Sequence, residues 1–276
     1  MSLITNEDIQ YVESKFNLKF DEGSIGFLKC NITKDIQACP GAGKTTTLVA
    51  KLDILASKMP FSDKSGILVL THTNVAINEI KSKLGYNANK LISYPNHIGT
   101  FQSFVNKYLA IPMYINYFGK KPIAIDSQLF EKKLIALMES HWIGRLLLEK
   151  SEQQLMSIEN YLNSLKIYED KIVLELPDQK TKTIVGSARP FYTQLKSYLE
   201  MKPITIILAR GYLTFNHCYE LAEHYLEKKP DISNVISYRF KYVFIDETQD
   251  TDEQQFKLLK TIFEGSNSII QKIGDN

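Results

Sequence analysis

Cysteine is scarce in this sequence, which contains only Cys30, Cys39 and Cys218, placed far apart. Because no two of them form a Cys-x-x-Cys pair, the sequence predicts neither a zinc site nor a disulfide framework. Isolated cysteines of this kind are typical of reduced thiols inside a cell. We therefore expect a cytoplasmic protein that folds around an ordinary hydrophobic core.

Long apolar segments and an excess of charge are also missing. The longest aliphatic run, residues 204–209, is too short to cross a bilayer, and the first residues lack the pattern of a signal peptide. We therefore expect no membrane partner. The 33 basic and 31 acidic side chains give a net charge of +2, which excludes a histone-like tail but allows a local basic groove for nucleic acid.

Short apolar, β-branched segments alternate with helical patterns near both ends of the 276 residues. The predicted strands are residues 35–38, 66–71, 97–100, 242–246 and 268–274. Apolar residues recur at helical spacing after the first two strands, at 48, 52 and 55 and at 77, 80 and 84. This alternation predicts an α/β fold with a parallel sheet and helices on both faces.

The middle of the chain has a different pattern. Residues 127–165 predict helix throughout, residues 171–176 and 180–185 predict a β-hairpin, and Pro190 opens a helix that runs to about Met201. We interpret this block as a mainly helical insertion. The expected domains are residues 1–110 with 238–276, and the insertion 111–237.

Residues 38–45, ACPGAGKT, match the phosphate-loop pattern G-x-x-x-x-G-K-[ST] with Ala in the first position. Such glycines let backbone N–H groups point at phosphate oxygens, and the helix that follows adds its positive end. Lys44 would reach the β- and γ-phosphates, and Thr45 would coordinate Mg²⁺. The alternative is a glycine-rich turn before an ordinary helix. The predicted nucleotide-binding residues are Ala38, Cys39, Pro40, Gly41, Ala42, Gly43, Lys44, Thr45 and Thr46.

A second motif follows the predicted strand at residues 242–246, where apolar residues run into Asp246 and Glu247. A carboxylate at the carboxyl end of such a strand lies beside the phosphate loop in an open α/β sheet. Asp246 would hold Mg²⁺, Glu247 would orient and deprotonate the attacking water, and Gln249 would sense the γ-phosphate. The alternative is a strand end with solvated acids that cap the next helix.

Six segments, in order, resemble the UvrD/Rep-type DNA helicases of superfamily 1. They are ACPGAGKT (38–45), ILVLTHTN (67–74), IGTFQSF (98–104), GYLTF (211–215), VFIDETQDT (243–251) and IGDN (273–276). The resemblance implies an ATP-driven motor that moves along single-stranded DNA, typically 3′ to 5′, with a RecA-like domain 1A interrupted by a helical domain 1B. It also implies that Gln249 couples the γ-phosphate state to domain movement.

The same resemblance implies DNA contacts from Thr71, His72, Asn74, Thr100 and Phe101. His72 stands where the family usually has Phe to stack on a base. The family's usual adenine-reading Gln is not found upstream of the phosphate loop.

The family's later motifs, including its catalytic arginines, lie in a second RecA-like domain that this sequence does not contain. We therefore expect a portion of a helicase that binds nucleotide weakly and turns it over little. The pathway stays open between repair, recombination and phage defence with a nuclease partner. Two other classes also stay open, a phosphate-loop kinase or transferase and a non-catalytic nucleic-acid-binding module.

Overall fold

The computed structural model describes residues 4–37, 43–176, 178 and 180–274. The chain separates into two units, one formed by Met1–Pro112 with Tyr219–Asn276 and the other by Met113–Cys218. The first boundary lies two residues from the expected one, whereas the second lies at Tyr219 and not at residue 238. The segment after Tyr219 belongs to the first unit because it packs there. The Gln255 amide, for example, donates to the Tyr219 hydroxyl at 3.2 Å.

The strands and helices have the following bounds. The strands are β1 (Lys34–Gln37), β2 (Gly66–Thr71), β3 (His97–Thr100), β4 (Ala124–Ile125), β5 (Leu165–Ile167), β6 (Lys171–Glu175), β7 (Thr181–Gly186), β8 (Tyr212–Leu213), β9 (Phe240–Asp246) and β10 (Ile269–Gly274). The helices are α1 (Asn6–Phe16), α2 (Glu22–Lys29), α3 (Lys44–Ser57), α4 (Asn74–Leu84), α5 (Ala88–Ile92), α6 (Phe101–Val105), α7 (Ile111–Phe118), α8 (Ser127–Glu139), α9 (Trp142–Gln153), α10 (Ile158–Asn163), α11 (Pro190–Glu200), α12 (Pro203–Arg210), α13 (Phe215–Lys228), α14 (Asp231–Arg239) and α15 (Glu253–Phe263).

The first unit is built on a five-stranded parallel sheet in the order β1-β10-β9-β2-β3. The predicted α/β class is therefore confirmed, and all five predicted strands are present with bounds that agree to within two residues. Every residue of β2 is buried, as expected for a strand covered on both faces. Apolar side chains of α3, α4 and α5 form one core cluster with β2, β9 and β10.

The second unit is mainly helical and also contains strands. Strands β5, β6 and β7 form an antiparallel sheet, so the predicted hairpin is confirmed as β6 and β7, and α11 confirms the helix that opens at Pro190. The prediction of helix throughout 127–165 is wrong. The chain breaks between α8 and α9, where His141 Nδ1 accepts from the Ile143 N–H at 3.2 Å, and again before α10, whose N-cap is Ser157. These local caps start new helices.

Among the described residues, no helix has both the length and the apolar character needed to cross a membrane.

Candidate nucleotide and DNA site

The phosphate-loop helix begins where the sequence predicts. Gly43 is the N-cap of α3, with φ of 74°, a left-handed conformation that favours glycine. Lys44 is the first helical residue, and Thr45 and Thr46 complete the first turn. The positive end of the helix therefore lies at this lysine. Ala38, Cys39, Pro40, Gly41 and Ala42 lie outside the described residues.

The strand register brings the two predicted motifs to one edge of the sheet. Ile36 of β1 is paired with Ile273 of β10, which in turn is paired with Asp246 of β9. Adjacent strands lie about 4.8 Å apart, so the end of β1 and the end of β9 are about 10 Å from each other. All three strands are parallel, so the carboxyl ends of β1 and β9 lie at the same edge of the sheet.

Asp246 is buried, with 4% of its surface exposed. Burial, and next the negative charge of Glu247, raise the pKa of the Asp246 carboxyl to about 6, although the Glu247 N–H and the Lys44 ammonium act in the opposite direction. The charge of Glu79 on α4 also raises the pKa of Asp246. The carboxyl thus lies in a low-dielectric position within reach of both a cation and other acids.

The residues that follow Asp246 are held in a tight, partly strained turn. Glu247 has φ of 54° and ψ of 50°, a left-handed conformation that is unusual for a residue with a side chain, and its N–H donates to Asp246 Oδ1 at 3.2 Å. The Thr248 hydroxyl lies 3.1 Å from the Ile273 carbonyl oxygen, to which it donates. Gln249 lies over the end of β10, since a Cβ built on Gly274 would lie 3.1 Å from Gln249 Oε1.

These residues fit a magnesium ion bound together with phosphate. Within the part of the chain that the structure describes, no group of three or more His, Cys, Asp or Glu side chains could hold a metal. Mg²⁺ does not need such a cage, because it is usually held by one or two carboxylates and the phosphates of its substrate. The carboxyl of Asp246, whose ionised form is destabilised by burial, and the hydroxyl of Thr45 on the first turn of α3 supply ligands of the right chemistry.

Sequence reasoning missed one wall of the site. A cavity of about 160 Å³ lies beside Lys44 and Thr47 and is bounded on its other side by Gly23, Ser24 and Phe27 of α2. The Thr47 hydroxyl is 3.4 Å from Ser24 Oγ, so α2 and α3 are joined at this wall. The sequence signal was the N-cap Asp21, which accepts from the Ser24 N–H and predicts a helix start before the first strand.

A buried lysine holds α2 in this position. Lys51 of α3 is 2% exposed, and its ammonium donates to the carbonyl oxygens of Phe27 at 2.8 Å and Cys30 at 2.7 Å and to Gln271 Oε1 at 2.9 Å. Burial lowers the pKa of Lys51 to about 8. The Gln271 amide nitrogen in turn donates to the carbonyl oxygens of Cys30 and Ile32. The two side chains therefore fix the segment that leads from α2 into β1.

The predicted DNA segment after β2 adjoins the acidic turn. Thr71 is fully buried and its hydroxyl donates to the Thr73 carbonyl oxygen at 3.0 Å. The His72 ring lies over that of Phe101, with 5.0 Å between centroids and 32° between planes. His72 Nε2 lies 3.2 Å from the Thr251 hydroxyl, which belongs to the segment that follows Glu247.

The remaining predicted DNA residues differ in exposure. Asn74 is exposed at the first position of α4, and the partly buried Thr100 caps α6 by accepting from the Ser103 N–H at 3.1 Å. Phe101 is only 3% exposed, so it has no open ring face for a base and instead supports His72.

A parallel sheet with a helix that begins at Lys44 and with Asp246 at the carboxyl end of β9 is typical of a phosphate-loop nucleotide-binding domain. Comparison with protein families is more specific, since the model of the UvrD/REP helicase N-terminal domain matches residues 29–276. The match covers most of the chain, and the protein belongs to this family.

Individual relatives agree with this assignment. The probable DNA helicase II homolog of Mycoplasma capricolum is 28% identical over 250 residues, which are 87% of this chain and 32% of that protein. ATP-dependent DNA helicase srs2 of Schizosaccharomyces pombe is 27% identical over 259 residues, 87% of this chain and 27% of that protein. Gabija protein GajB of Bacillus cereus is 37% identical over 86 residues, 30% of this chain and 16% of that protein. The chain spans about a third of the length of the first relative and about a quarter of the length of the second.

Proposed function

We propose that this chain is the nucleotide-binding portion of an ATP-dependent DNA helicase that moves along single-stranded DNA in the 3′ to 5′ direction. The observation that carries the proposal is the juxtaposition of Lys44, at the first position of α3, with Asp246 and Glu247 at the end of β9. A cation at a helix N-terminus beside the buried carboxyl of Asp246 and the partly buried carboxyl of Glu247 is suited to a magnesium–nucleotide complex.

In the proposed reaction, Lys44 holds the β- and γ-phosphates together with the N–H groups of residues 38–43. Thr45 and Asp246 would hold Mg²⁺, which neutralises developing charge on the phosphates. Glu247 orients the attacking water and takes its proton. Gln249, which lies at Gly274, reports the γ-phosphate to the end of β10.

The proposed DNA contact is the surface formed by Asn74 and the half-buried His72. An imidazole ring can stack on a base of any sequence, and Phe101 would hold that ring in place. Thr71 and Thr100 act through the backbone, since their hydroxyls fix the two turns from which this surface is built. Further domains, which would supply stabilising arginines, and a nuclease partner in repair, recombination or phage defence remain parts of this proposal.

Nucleotide binding is tested by titrating the whole chain with a fluorescent ATP analogue, with and without Mg²⁺. We expect saturable binding that Mg²⁺ strengthens and that Lys44→Ala weakens by about tenfold or more, because a charge-assisted contact to phosphate is lost. Lys81→Met, on α4, is the matched control and should leave binding unchanged. Equal binding by Lys44→Ala would contradict the proposed nucleotide site.

DNA binding is tested by fluorescence anisotropy with labelled single-stranded oligonucleotides over a range of salt concentrations. We expect little dependence on sequence and an affinity that falls linearly with salt on logarithmic axes. His72→Ala should weaken binding, whereas Tyr86→Ala, which removes an 85% exposed aromatic ring elsewhere on the same unit, should not. Salt-independent binding, or a strong preference for duplex DNA, would contradict this part of the proposal.

A further inference from the structure

Helix α4 carries a pair of charges that the motifs do not account for. The Lys83 ammonium lies 2.8 Å from Glu79 Oε1, one helical turn earlier. The same ammonium lies 3.4 Å from the hydroxyl oxygen of Thr46 on α3, to which it donates. Lys83 therefore reaches across from α4 to the first turn of the phosphate-loop helix.

The hydroxyls of that first turn point to different partners. Thr47 donates to the Gly43 carbonyl oxygen and lies near Ser24, on the side of α2. The Thr46 hydroxyl oxygen accepts a hydrogen bond from the Lys83 ammonium on the side of α4. The cation consequently lies at the end of α3 where backbone N–H groups and Lys44 already favour an anion.

Glu79 places a negative charge directly beside the Lys83 ammonium. It pairs with Lys83, and its charge also acts on Asp246 at the end of β9. The side chains of Glu79 and Lys83 are 47% and 37% exposed, so their pairing is only weakly stabilising. A weak, accessible pair can rearrange when a more strongly charged ligand arrives.

We propose that Glu79 and Lys83 form a charged rim of the nucleotide site, in which Lys83 attracts the phosphates and steadies Thr46 while Glu79 restrains Lys83 and opposes the anion. This inference rests on the proposed function, because it assigns two further residues to the same site. It makes Lys83 a nucleotide-binding residue and Glu79 a residue that weakens binding, both by holding Lys83 and by repelling the anion.

The two charges have opposite expected effects on affinity. Lys83→Met removes the cation and leaves Glu79 unpaired, so we expect the Kd for a fluorescent ATP analogue to rise about three- to tenfold. Glu79→Gln releases Lys83 and removes a repulsive charge, so we expect the Kd to fall about two- to threefold. Both effects should be larger for the ATP analogue than for the ADP analogue, and both should shrink as salt rises, because they arise from partly exposed charges.

The experiment measures these Kd values on the whole chain for wild type, Lys83→Met, Glu79→Gln, the control Lys81→Met and the reference Lys44→Ala, with thermal unfolding to verify that each variant is folded. Failure of wild type to bind, or binding unaffected by Lys44→Ala, would overturn the proposed function and this inference together. If Lys44→Ala loses binding as expected, the proposed function stands. An unchanged Kd in Lys83→Met, or a higher Kd in Glu79→Gln, would then overturn the charged rim alone. If the two substitutions acted only by destabilising α4, both variants would bind the ATP and ADP analogues more weakly and to the same extent. That result would also contradict the charged rim.

Discussion

Replacement of Lys51 by methionine offers a test of the buried clamp behind the nucleotide site. The ammonium of Lys51 is nearly inaccessible and is surrounded by two carbonyl oxygens and the Gln271 amide. Burial lowers the pKa of Lys51 from 10.5 to about 8 in the folded chain. Methionine has a similar length and shape but no proton to lose, so it removes this titration.

The sign of the effect follows from the two pKa values. Between about pH 8 and pH 10.5 the unfolded chain keeps a proton on Lys51 that the folded chain has released, so the free energy of unfolding rises with pH. Below pH 8 both states are protonated, and the burial penalty is present in full. From pH 7 to pH 9, the wild type should therefore gain about 1 kcal/mol of unfolding free energy relative to Lys51→Met.

Urea unfolding of both proteins at pH 7, 8, 9 and 10 measures this difference. Ionisation of tyrosines and of Cys218 affects both proteins alike and cancels. Lys132→Met, in which an exposed lysine of α8 is replaced, is the control. Its free energy of unfolding should change with pH in the same way as that of wild type. The free energy of unfolding of wild type minus that of Lys51→Met should rise with pH, whichever protein is the more stable at pH 7. A value of this signed difference that stays constant or falls from pH 7 to pH 10 would refute the assignment of a buried, destabilised ammonium.

Three further changes probe other parts of the fold. Thr73→Ala removes the hydroxyl that accepts from the Ala76 N–H at 3.2 Å and should lower the unfolding free energy by about 1 kcal/mol, measured by urea unfolding, whereas Thr73→Ser should retain most of it. Glu247→Asn should be more stable than Glu247→Gln by about 0.5–1 kcal/mol, because asparagine tolerates the left-handed conformation better; equal melting curves would mean that the turn is not strained. Gly144→Ala places a Cβ against the Met138 carbonyl oxygen and should destabilise the second unit by about 1–3 kcal/mol, which thermal unfolding would detect; an unchanged melting temperature would contradict that close approach.

Strand β2 could be predicted because most of its residues are aliphatic. Residues 67–70 are a continuous aliphatic run bounded by polar segments, which is typical of a strand covered on both faces. The order of the strands and the membership of residues 219–237 in the first unit could not be predicted in this way. They depend on contacts between distant residues, such as the hydrogen bond that joins Gln255 to Tyr219, and no local pattern encodes them.

The two motifs of the candidate site could be located from spacing, but their surroundings could not. Lys44 and Asp246 belong to motifs that their neighbours in sequence make recognisable. The wall at Ser24 depends instead on where α2 packs against α3. The position of the Glu79–Lys83 pair depends on where α4 packs against α3. The prediction for Phe101 shows the same limit. An aromatic residue at a strand end is equally suited to stack on a base or to support a neighbour, and only its burial distinguishes the two.

Side-chain contacts join the segment after β2 to the segment after β9, and the segment after β9 to the end of β10. His72, after β2, contacts Thr251, after β9, while Thr248 is bonded to Ile273 of β10 and Gln249 lies against Gly274. A base that displaced the His72 ring would therefore act on the segment that carries Glu247. A phosphate that moved Gln249 would act on the same segment from the other side. Because this segment is short and already held in a strained turn at Glu247, it has few conformations with which to absorb such a change. These contacts give the proposed DNA surface and the proposed nucleotide site a direct physical connection within the first unit.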